Sequence, residues 1–192
     1  MLLVSTIVSP DICAERRENV ATGAMRHHLD IEPSGFRTPG GFARGLGGRP
    51  DIQNLLLDIG FEWVSSKYAF HPMGEHGQQP DATILDTVVE MQPKSQPFRY
   101  PTGLIEVPMS PVSDVMAMRI AGWSKKSWLA ALRKAITWTI ENGAVFDLLA
   151  HPSVLVVMDP KFEALKMVCD MVDEADSGAK LVDLGELAKR AR

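Results

Sequence analysis

The histidine best placed for acid–base chemistry is His151. Only Ala150 separates it from the apolar run 145–149, and it comes immediately before Pro152, which restricts the backbone of the preceding residue. An imidazole titrates near neutral pH and can therefore protonate a leaving group under physiological conditions. The alternative is a structural histidine that donates a hydrogen bond to a nearby carbonyl. The position of His151 predicts a general acid or base, with that structural role as the competing interpretation.

Arg37 is the second candidate, because it lies in a segment with unusual backbone demands. The residues from 35 to 41 read GFRTPGG, and six of the chain's 15 glycines fall between positions 33 and 50. A guanidinium held on such a segment can orient a carboxylate through two parallel hydrogen bonds. A surface arginine in a glycine-rich turn is the alternative. The glycines do not predict a phosphate site, since the Gly-Lys-Ser/Thr of a P-loop is missing.

The other histidines carry weaker signals. His71 and His76 flank Glu75 in a loop that contains proline and glycine, which makes them a candidate metal cluster of low specificity without a rigid supporting element. His27 and His28 are neighbours on a predicted helix and point about 100° apart, so they do not grip one metal from the same face. We expect them to lie at a solvated helix end.

The composition is that of an ordinary globular protein. The chain has 192 residues, of which 45% are hydrophobic and 23% charged, and its net charge is −4. We expect one domain over 1–192, and the absence of a Lys/Arg block argues against nucleic acid as a partner. The apolar run 1–8 is too short for a membrane span and lacks the basic start of a signal peptide, which favours a cytoplasmic protein. The two cysteines, Cys13 and Cys169, form no metal or redox motif and are predicted to be buried thiols.

The elements that must position these residues alternate between helices and strands. The segment 33–50 is predicted to be a loop. Capping residues and apolar spacing predict helices over 9–29, 50–59, 81–91, 124–142 and from 159 onward, the last with Phe162, Leu165, Cys169 and Val172 on its inner face. Strands are predicted over 61–65, 104–107, 145–149 and 180–184, with a final basic helical turn after them. This alternation favours an α/β fold with a parallel sheet and right-handed crossovers, either a barrel or an open layer.

In such folds the functional groups gather at the carboxyl ends of the strands. The segments directly after the predicted strands are 65–68, 108–114 and 150–152. Trp63 and Tyr68 flank the end of one strand, where an aromatic face can stack on a sugar ring, although core packing is the alternative for Trp63. These segments are where we expect a site.

Four stretches resemble, in order, the second half of the polysaccharide deacetylases, the carbohydrate esterases with a NodB homology domain. They are GFRTPGG at 35–41, LLDIGFEWVSSKY at 56–68, LIEVP at 104–108 and LLAHP at 148–152. The resemblance runs from about position 12 to the C-terminus. It implies an incomplete (β/α) barrel and hydrolysis of C–N amide bonds in an N-acylated carbohydrate or a related small amide.

The resemblance also implies roles for single residues. Arg37 matches the arginine that orients the catalytic aspartate, and His151 matches the histidine that protonates the leaving amine. Asp114 lies near the position of a residue that tunes this histidine. Pro39, together with Trp63 and Tyr68, is a candidate substrate-binding residue. In the family a divalent metal, usually zinc, is held by one aspartate and two histidines, and a second aspartate acts as base on the metal-bound water.

The sequence departs from the family before Arg37. Neither the Asp-Asp motif nor the His-x-x-x-His motif, which supply the base and the metal ligands in relatives, is present. Three accounts are open: an incomplete version of an enzyme that begins at an internal methionine, a non-catalytic relative that binds saccharide or assembles with another subunit, or a partner chain that supplies the missing half. The first is favoured because Arg37 and His151 are retained together. We also expect an unpaired sheet edge, which a second copy or a partner chain would cover.

Overall fold

Seven α-helices and four short β-strands make up most of the computed structural model, which describes residues 20–175 and 178–191. The helices are α1 (Val20–Leu29), α2 (Pro50–Asp58), α3 (Ala82–Glu90), α4 (Lys125–Glu141), α5 (Pro152–Met158), α6 (Glu163–Asp173) and α7 (Leu184–Arg190). The strands are β1 (Gly35–Phe42), β2 (Trp63–Lys67), β3 (Phe98–Arg99) and β4 (Ile105–Glu106). A 3₁₀ turn (Gln92–Ser95) and a π-helix (Val115–Ile120) complete the list. The predicted α/β class is confirmed.

The chain divides into two compact units. The first unit contains residues 20–67, Pro97–Val107 and 184–191, and the second contains Tyr68–Gln96 and the described part of Pro108–Asp183. Each unit therefore draws on segments that are far apart in the sequence. All four strands belong to the first unit, and α3 to α6 with the π-helix belong to the second.

The sheet of the first unit has the strand order β1-β2-β4-β3. The pairs β1·β2 and β2·β4 are parallel, as predicted, whereas β3 runs antiparallel to β4. Apolar side chains cover both faces of this small sheet. One group of buried residues lies around α2 (Leu46, Leu56, Phe61, Val64, Tyr100, Leu104) and another around α7 (Ile105, Val107, Ala188).

The second unit is held by a helical core around two buried tryptophans. Trp123 and Trp128 are among the largest fully buried side chains. They pack with residues of α4, α5, α6 and the π-helix, including Leu132, Ile136, Leu155 and Met167. Ser124 caps α4 as predicted, since its hydroxyl accepts a hydrogen bond from the Ser127 amide.

The predicted loop over 33–50 is wrong for Gly35–Phe42, which forms β1. Strand formation is tolerated there because β1 lies at the edge of the sheet and its register with β2 is irregular between Arg37 and Phe42. An edge position leaves one side of the backbone without ladder partners, so a proline such as Pro39, which lacks an amide proton, costs little. The glycine and proline content concealed this strand.

The strands predicted over 145–149 and 180–184 are absent from the structure: 145–149 and 180–183 are irregular, and Leu184 is the first residue of α7. The backbone of 145–149 forms hydrogen bonds with Gln96 and Ser110 and not with a strand. The Val145 amide donates to the side chain of Gln96 (2.8 Å), whose amide group donates back to the Val145 carbonyl (3.1 Å). The Asp147 carbonyl accepts from the Ser110 amide at 3.2 Å. This apolar run therefore bonds to a side chain and to one backbone amide and does not join a ladder.

The inner face predicted for the helix after position 159 is also wrong. Phe162 is in the left-handed region (φ 52°), and α6 begins one residue later, at Glu163. This start sets a helical phase in which Ala164 and Met167 are buried, whereas Leu165 and Cys169 are exposed. The expected burial of the Cys169 thiol is therefore not found.

The N-terminal elements can be compared only in part. The predicted helix start at Ser9, and Cys13, lie outside the described residues. The predicted end at Leu29 is confirmed, and His27 and His28 are exposed at that end. Across residues 20–175 and 178–191, no helix is both long and apolar enough to cross a membrane.

Candidate functional site

Asp114 and His151 form a direct pair in the second unit. The Asp114 carboxylate is fully buried, and its Oδ1 lies 2.7 Å from the Nδ1 of His151. The other carboxylate oxygen, Oδ2, accepts a hydrogen bond from the His151 backbone amide at 2.6 Å. One carboxylate therefore binds both the ring and the main chain of the same histidine, which fixes where the ring stands.

Two local structures bring these residues together. Asp114 directly precedes the π-helix, and its Oδ1 also accepts from the Val115 amide at 2.7 Å. His151 directly precedes α5, whose first residue is Pro152. The proline cannot donate an amide proton, and the extended backbone of His151 leaves its own amide to point at Asp114. Short-range backbone geometry on both sides therefore supports the contact.

This geometry assigns the proton on the ring. A buried carboxylate 2.7 Å from Nδ1 accepts a proton from that nitrogen, so Nδ1 is the donor. Nε2 is then the nitrogen left for exchange, and within the part of the chain that the structure describes it has no hydrogen-bond partner. The side chain of His151 is 33% exposed, which gives Nε2 access to a ligand or to solvent. Such an imidazole can take up and release a proton at Nε2.

Tyr68 lies against the segment that carries Asp114. Its hydroxyl donates to the Pro111 carbonyl at 2.8 Å, and the hydroxyl oxygen accepts from the Ser113 amide at 3.4 Å. Burial raises the pKa of Tyr68, the Ser113 amide opposes this change, and the charge of Asp114 adds to it. The side chain is only 4% exposed, so its aromatic face is not open to a sugar ring in the manner expected from the sequence.

His71 approaches the same carbonyl. Its Nε2 lies 2.8 Å from the Pro111 oxygen, and its Nδ1 lies 2.9 Å from the Pro72 oxygen and 3.2 Å from the Thr87 hydroxyl. Burial lowers the pKa of His71, although the two carbonyl oxygens act in the opposite direction. The lowered pKa favours the neutral ring, which can donate to only one of these two carbonyls at a time.

The metal cluster suggested for His71, Glu75 and His76 does not assemble. The Nδ1 of His76 contacts the Ile120 carbonyl at 2.7 Å, and Glu75 accepts from the side chain of Gln78 at 3.3 Å. Among the described residues, no group of three or more His, Cys, Asp or Glu side chains is arranged to hold a metal ion. These residues thus do not fit the zinc site that the family resemblance implies.

Three predicted site residues, Arg37, Pro39 and Trp63, belong to the first unit. Arg37 on β1 pairs with Ser65 on β2, two positions after Trp63. Register partners on neighbouring strands point to the same face, so Arg37 and Trp63 share one face of the sheet. Pro39 is exposed on β1. The Trp63 indole lies over Gly35, where an added Cβ would be 1.8 Å from the ring.

A buried carboxylate that the sequence reasoning missed lies on the opposite face of this sheet. Glu106 accepts hydrogen bonds from the Ser66 amide (2.7 Å) and hydroxyl (2.6 Å), from the Lys67 amide (2.8 Å) and from the Tyr100 hydroxyl (2.6 Å). The signal was available, because Glu106 interrupts the apolar run 104–107. A charged residue inside an apolar strand indicates a paired, buried group.

His151 and Tyr68 thus both contact the segment 111–114 of the second unit, at Asp114 and at Pro111. Arg37 and Trp63 are neighbours in the first unit. The structure shows the contact between Asp114 and His151, and the roles that the resemblance implies for them stay predictions. Comparison with known proteins adds nothing to this geometry, because no family model, no curated protein and no solved structure matches the chain.

Proposed function

We propose that this chain belongs to a hydrolase of the polysaccharide deacetylase type, which cleaves the C–N amide bond of an N-acylated carbohydrate or a related small amide. The observation that carries the proposal is the Asp114–His151 pair, with Nδ1 held by a buried carboxylate and Nε2 open. The parallel strands β1, β2 and β4 fit an incomplete (β/α) barrel, and they support the proposal at the level of the fold.

In this reaction His151 is the general acid. Addition of water to the amide carbonyl gives a tetrahedral intermediate, and its C–N bond breaks as the nitrogen takes the proton from Nε2 of His151. The carboxylic acid and the free amine leave, and the ring is reprotonated from the proton released by the attacking water. Asp114 stabilises the imidazolium form through its charge and keeps Nε2 aimed outward.

The remaining catalytic parts are assigned by resemblance alone. Arg37 would orient the aspartate that acts as base, and Pro39 and Trp63 would contribute to substrate binding, whereas the buried Tyr68 leaves no aromatic face open to a sugar ring. Because the described residues supply no three-ligand metal group, no step is assigned to a metal ion on this chain. The divalent ion and the base would then be supplied by a part of the enzyme that this chain does not include, or by a partner chain.

The general-acid role can be tested by varying the leaving amine. We expect His151→Ala to slow deacetylation of an N-acetylated chito-oligosaccharide, measured as acetate release in the presence of Zn²⁺, by about 10²–10⁴-fold. An N-acetyl anilide with an electron-poor ring needs little protonation of its leaving amine, so its hydrolysis should slow far less. Added imidazole should restore part of the lost rate. The matched control is His76→Ala, because the wild-type His76 ring contacts the Ile120 carbonyl and not Asp114. Equal losses for both substrates would remove His151 from leaving-group protonation.

The competing function is a non-catalytic saccharide-binding or assembly protein. The lack of a three-ligand metal group in ranges 20–175 and 178–191 favours it, and so does the position of β1 at the edge of the described strands, where a second copy or partner chain can pair. Titration calorimetry with the same oligosaccharide distinguishes the two functions. Binding without acetate release, in the presence of Zn²⁺, would support the non-catalytic alternative.

A further inference from the structure

We infer that Tyr68 and His71 are positioning residues for the Asp114–His151 pair, and that they act by holding the Pro111 carbonyl. The inference deepens the proposed function, on which it rests, since it concerns how the general acid is kept in place. Neither residue touches the exposed Nε2 of His151; both act through the segment that leads into Asp114.

The Pro111 carbonyl is bound from two sides. The Tyr68 hydroxyl lies 2.8 Å from its oxygen, and Nε2 of His71 also lies 2.8 Å from it. A carbonyl oxygen has two acceptor sites, so these two donors use its full capacity. The Ser113 amide also donates to the Tyr68 hydroxyl oxygen at 3.4 Å, so Tyr68 contacts the segment before Asp114 at both Pro111 and Ser113.

Both donors are themselves anchored. Tyr68 pairs with Met109 in an isolated parallel bridge, and its ring packs edge-on against Phe70 at 4.9 Å. Because burial keeps the phenol protonated, the hydroxyl stays a donor over the physiological range.

His71 is fixed from the side of α3. The Thr87 hydroxyl lies 3.2 Å from Nδ1, and it can donate to that nitrogen when Nε2 carries the proton. In this tautomer the ring donates to the Pro111 carbonyl, and the Pro72 carbonyl, 2.9 Å from Nδ1, is left without a hydrogen bond from the ring. Thr87 also approaches the Ile84 carbonyl at 2.7 Å, so its hydroxyl has two alternative acceptors. The ring therefore links α3 to the segment that carries Asp114.

Small movements of this segment have large consequences at His151. The three contacts that Asp114 makes to Val115 and His151 are 2.6–2.7 Å long, and all of them depend on one buried carboxylate. A hydrogen bond weakens steeply when its distance grows by several tenths of an ångström. Loss of both donors to Pro111 should therefore release the hold on Nδ1 and leave the ring free to change tautomer.

The experiment reads the contact directly, without a substrate. In protein with ¹⁵N-labelled histidine, the proton between Nδ1 of His151 and Asp114 should give a downfield resonance that Asp114→Asn removes. We expect Tyr68→Phe and His71→Leu together to speed exchange of this proton with solvent at least tenfold, and each alone by a smaller factor. His71→Gln keeps a donor near the position of Nε2 and should retain most of the protection. His76→Gln, in the same unit but bonded to the Ile120 carbonyl, is the control.

The outcomes separate this inference from the proposed function. Unchanged exchange in a folded double variant, with the wild-type resonance present, would overturn the positioning role whether or not the chain hydrolyses an amide. Faster exchange in the double variant supports it, and where acetate release is measurable, kcat should fall while KM stays close to the wild-type value. If the double variant does not fold, the single variants decide the question, because Tyr68→Phe keeps the ring and its contact with Phe70. The proposed function alone would be refuted if the wild-type protein showed the protected resonance but His151→Ala hydrolysed the amide at the wild-type rate.

Discussion

Two buried carboxylates show how the surroundings of a residue determine what it can do. Asp114 accepts three hydrogen bonds, one of them from a titratable ring that reaches solvent. Glu106 accepts four, from the amide and hydroxyl of Ser66, the Lys67 amide and the Tyr100 hydroxyl. Burying a charge costs free energy unless donors satisfy it, and both residues meet this condition. The ring bound to Asp114 reaches solvent, whereas the donors to Glu106 are two amides and two hydroxyls, so we expect Glu106 to contribute to stability.

The Glu106 cluster predicts a pH-dependent stability. The Tyr100 hydroxyl donates to Glu106 and accepts from the Leu46 amide at 2.9 Å, so Tyr100→Phe leaves two buried groups each short of a partner. We expect the free energy of unfolding to fall by about 1–3 kcal/mol at pH 7. Burial, followed by the hydrogen bond and charge of Glu106, raises the pKa of Tyr100 above its ordinary value.

The sign of the pH effect follows from this shift. Above about pH 10 the unfolded chain releases the phenol proton, whereas the folded protein keeps it, so the folded state binds more protons and stability falls as the pH rises. The difference between wild type and Tyr100→Phe should therefore shrink between about pH 9 and 11, as measured by urea unfolding at each pH. The chain's other tyrosine, Tyr68, is present in both proteins and cancels in the comparison. A difference that stays constant or grows with pH would contradict the assignment.

At the scale of elements, the sequence predicted helices better than strands. Pro50, Asp81 and Ser124 mark the starts of α2, α3 and α4, and these three helices lie where they were predicted, whereas α5 was not predicted. Strands depend on partners that are distant in the sequence. The segment Gly35–Phe42 pairs with β2 despite its glycines, whereas the apolar run 145–149 finds Gln96 and Ser110 instead of a ladder.

The candidate site was predictable in part, for a similar reason. The resemblance implied that Asp114 lies near His151, and the structure shows the two in contact, whereas their roles stay predictions. The convergence of Tyr68 and His71 on the Pro111 carbonyl leaves no mark in the sequence, since any residue type offers a backbone carbonyl. Side chains that act on the main chain are therefore the part that required the structure.

The glycine loop between β1 and α2 gives a prediction at this scale. Gly45 has a positive φ (56°), and an added Cβ would lie 2.5 Å from the Tyr100 hydroxyl and 3.0 Å from the Glu106 carboxylate. Gly48 has a comparable φ (82°) but open space around its Cα. Both changes to alanine carry backbone strain of about 1–2 kcal/mol, whereas only Gly45→Ala also intrudes on the buried cluster.

Gly45→Ala should therefore destabilise the protein by about 1–3 kcal/mol more than Gly48→Ala does, the usual cost of overpacking. Urea unfolding of the two variants under identical conditions measures this difference. In the Tyr100→Phe background the hydroxyl is missing, and the extra loss at Gly45 should become smaller. Equal losses for the two alanine variants would show that the loop does not press on the cluster.

At the scale of the whole molecule, the path of the chain sets which segments depend on one another. The last segment of the first unit is α7, which follows the whole of the second unit in the sequence. Its buried residue Ala188 packs against Ile105 and Val107, and Trp63 contacts the same group. Sheet and helix of the first unit are thus linked by contacts of long sequence separation, and such contacts form late and at high entropic cost.

This dependence can be tested by weakening the packing of α7 with a substitution at its buried residue Ala188. Ala188→Asp places an unpaired charge in the contact with Ile105 and Val107, and we expect the stability of the first unit to fall by about 3 kcal/mol. Lys189→Ala is the matched control, because Lys189 is exposed and its loss also lowers the net charge by one. With fluorotryptophan in the protein, ¹⁹F NMR during urea unfolding follows Trp63 in the first unit, assigned by Trp63→Phe, apart from the tryptophans of the second. The Trp63 midpoint should move to lower urea in Ala188→Asp and stay near the wild-type value in Lys189→Ala. If Ala188→Asp left the Trp63 midpoint unchanged, α7 would not be a stabilising cover of this sheet, and its packing against β2 and β4 would contribute little to the fold.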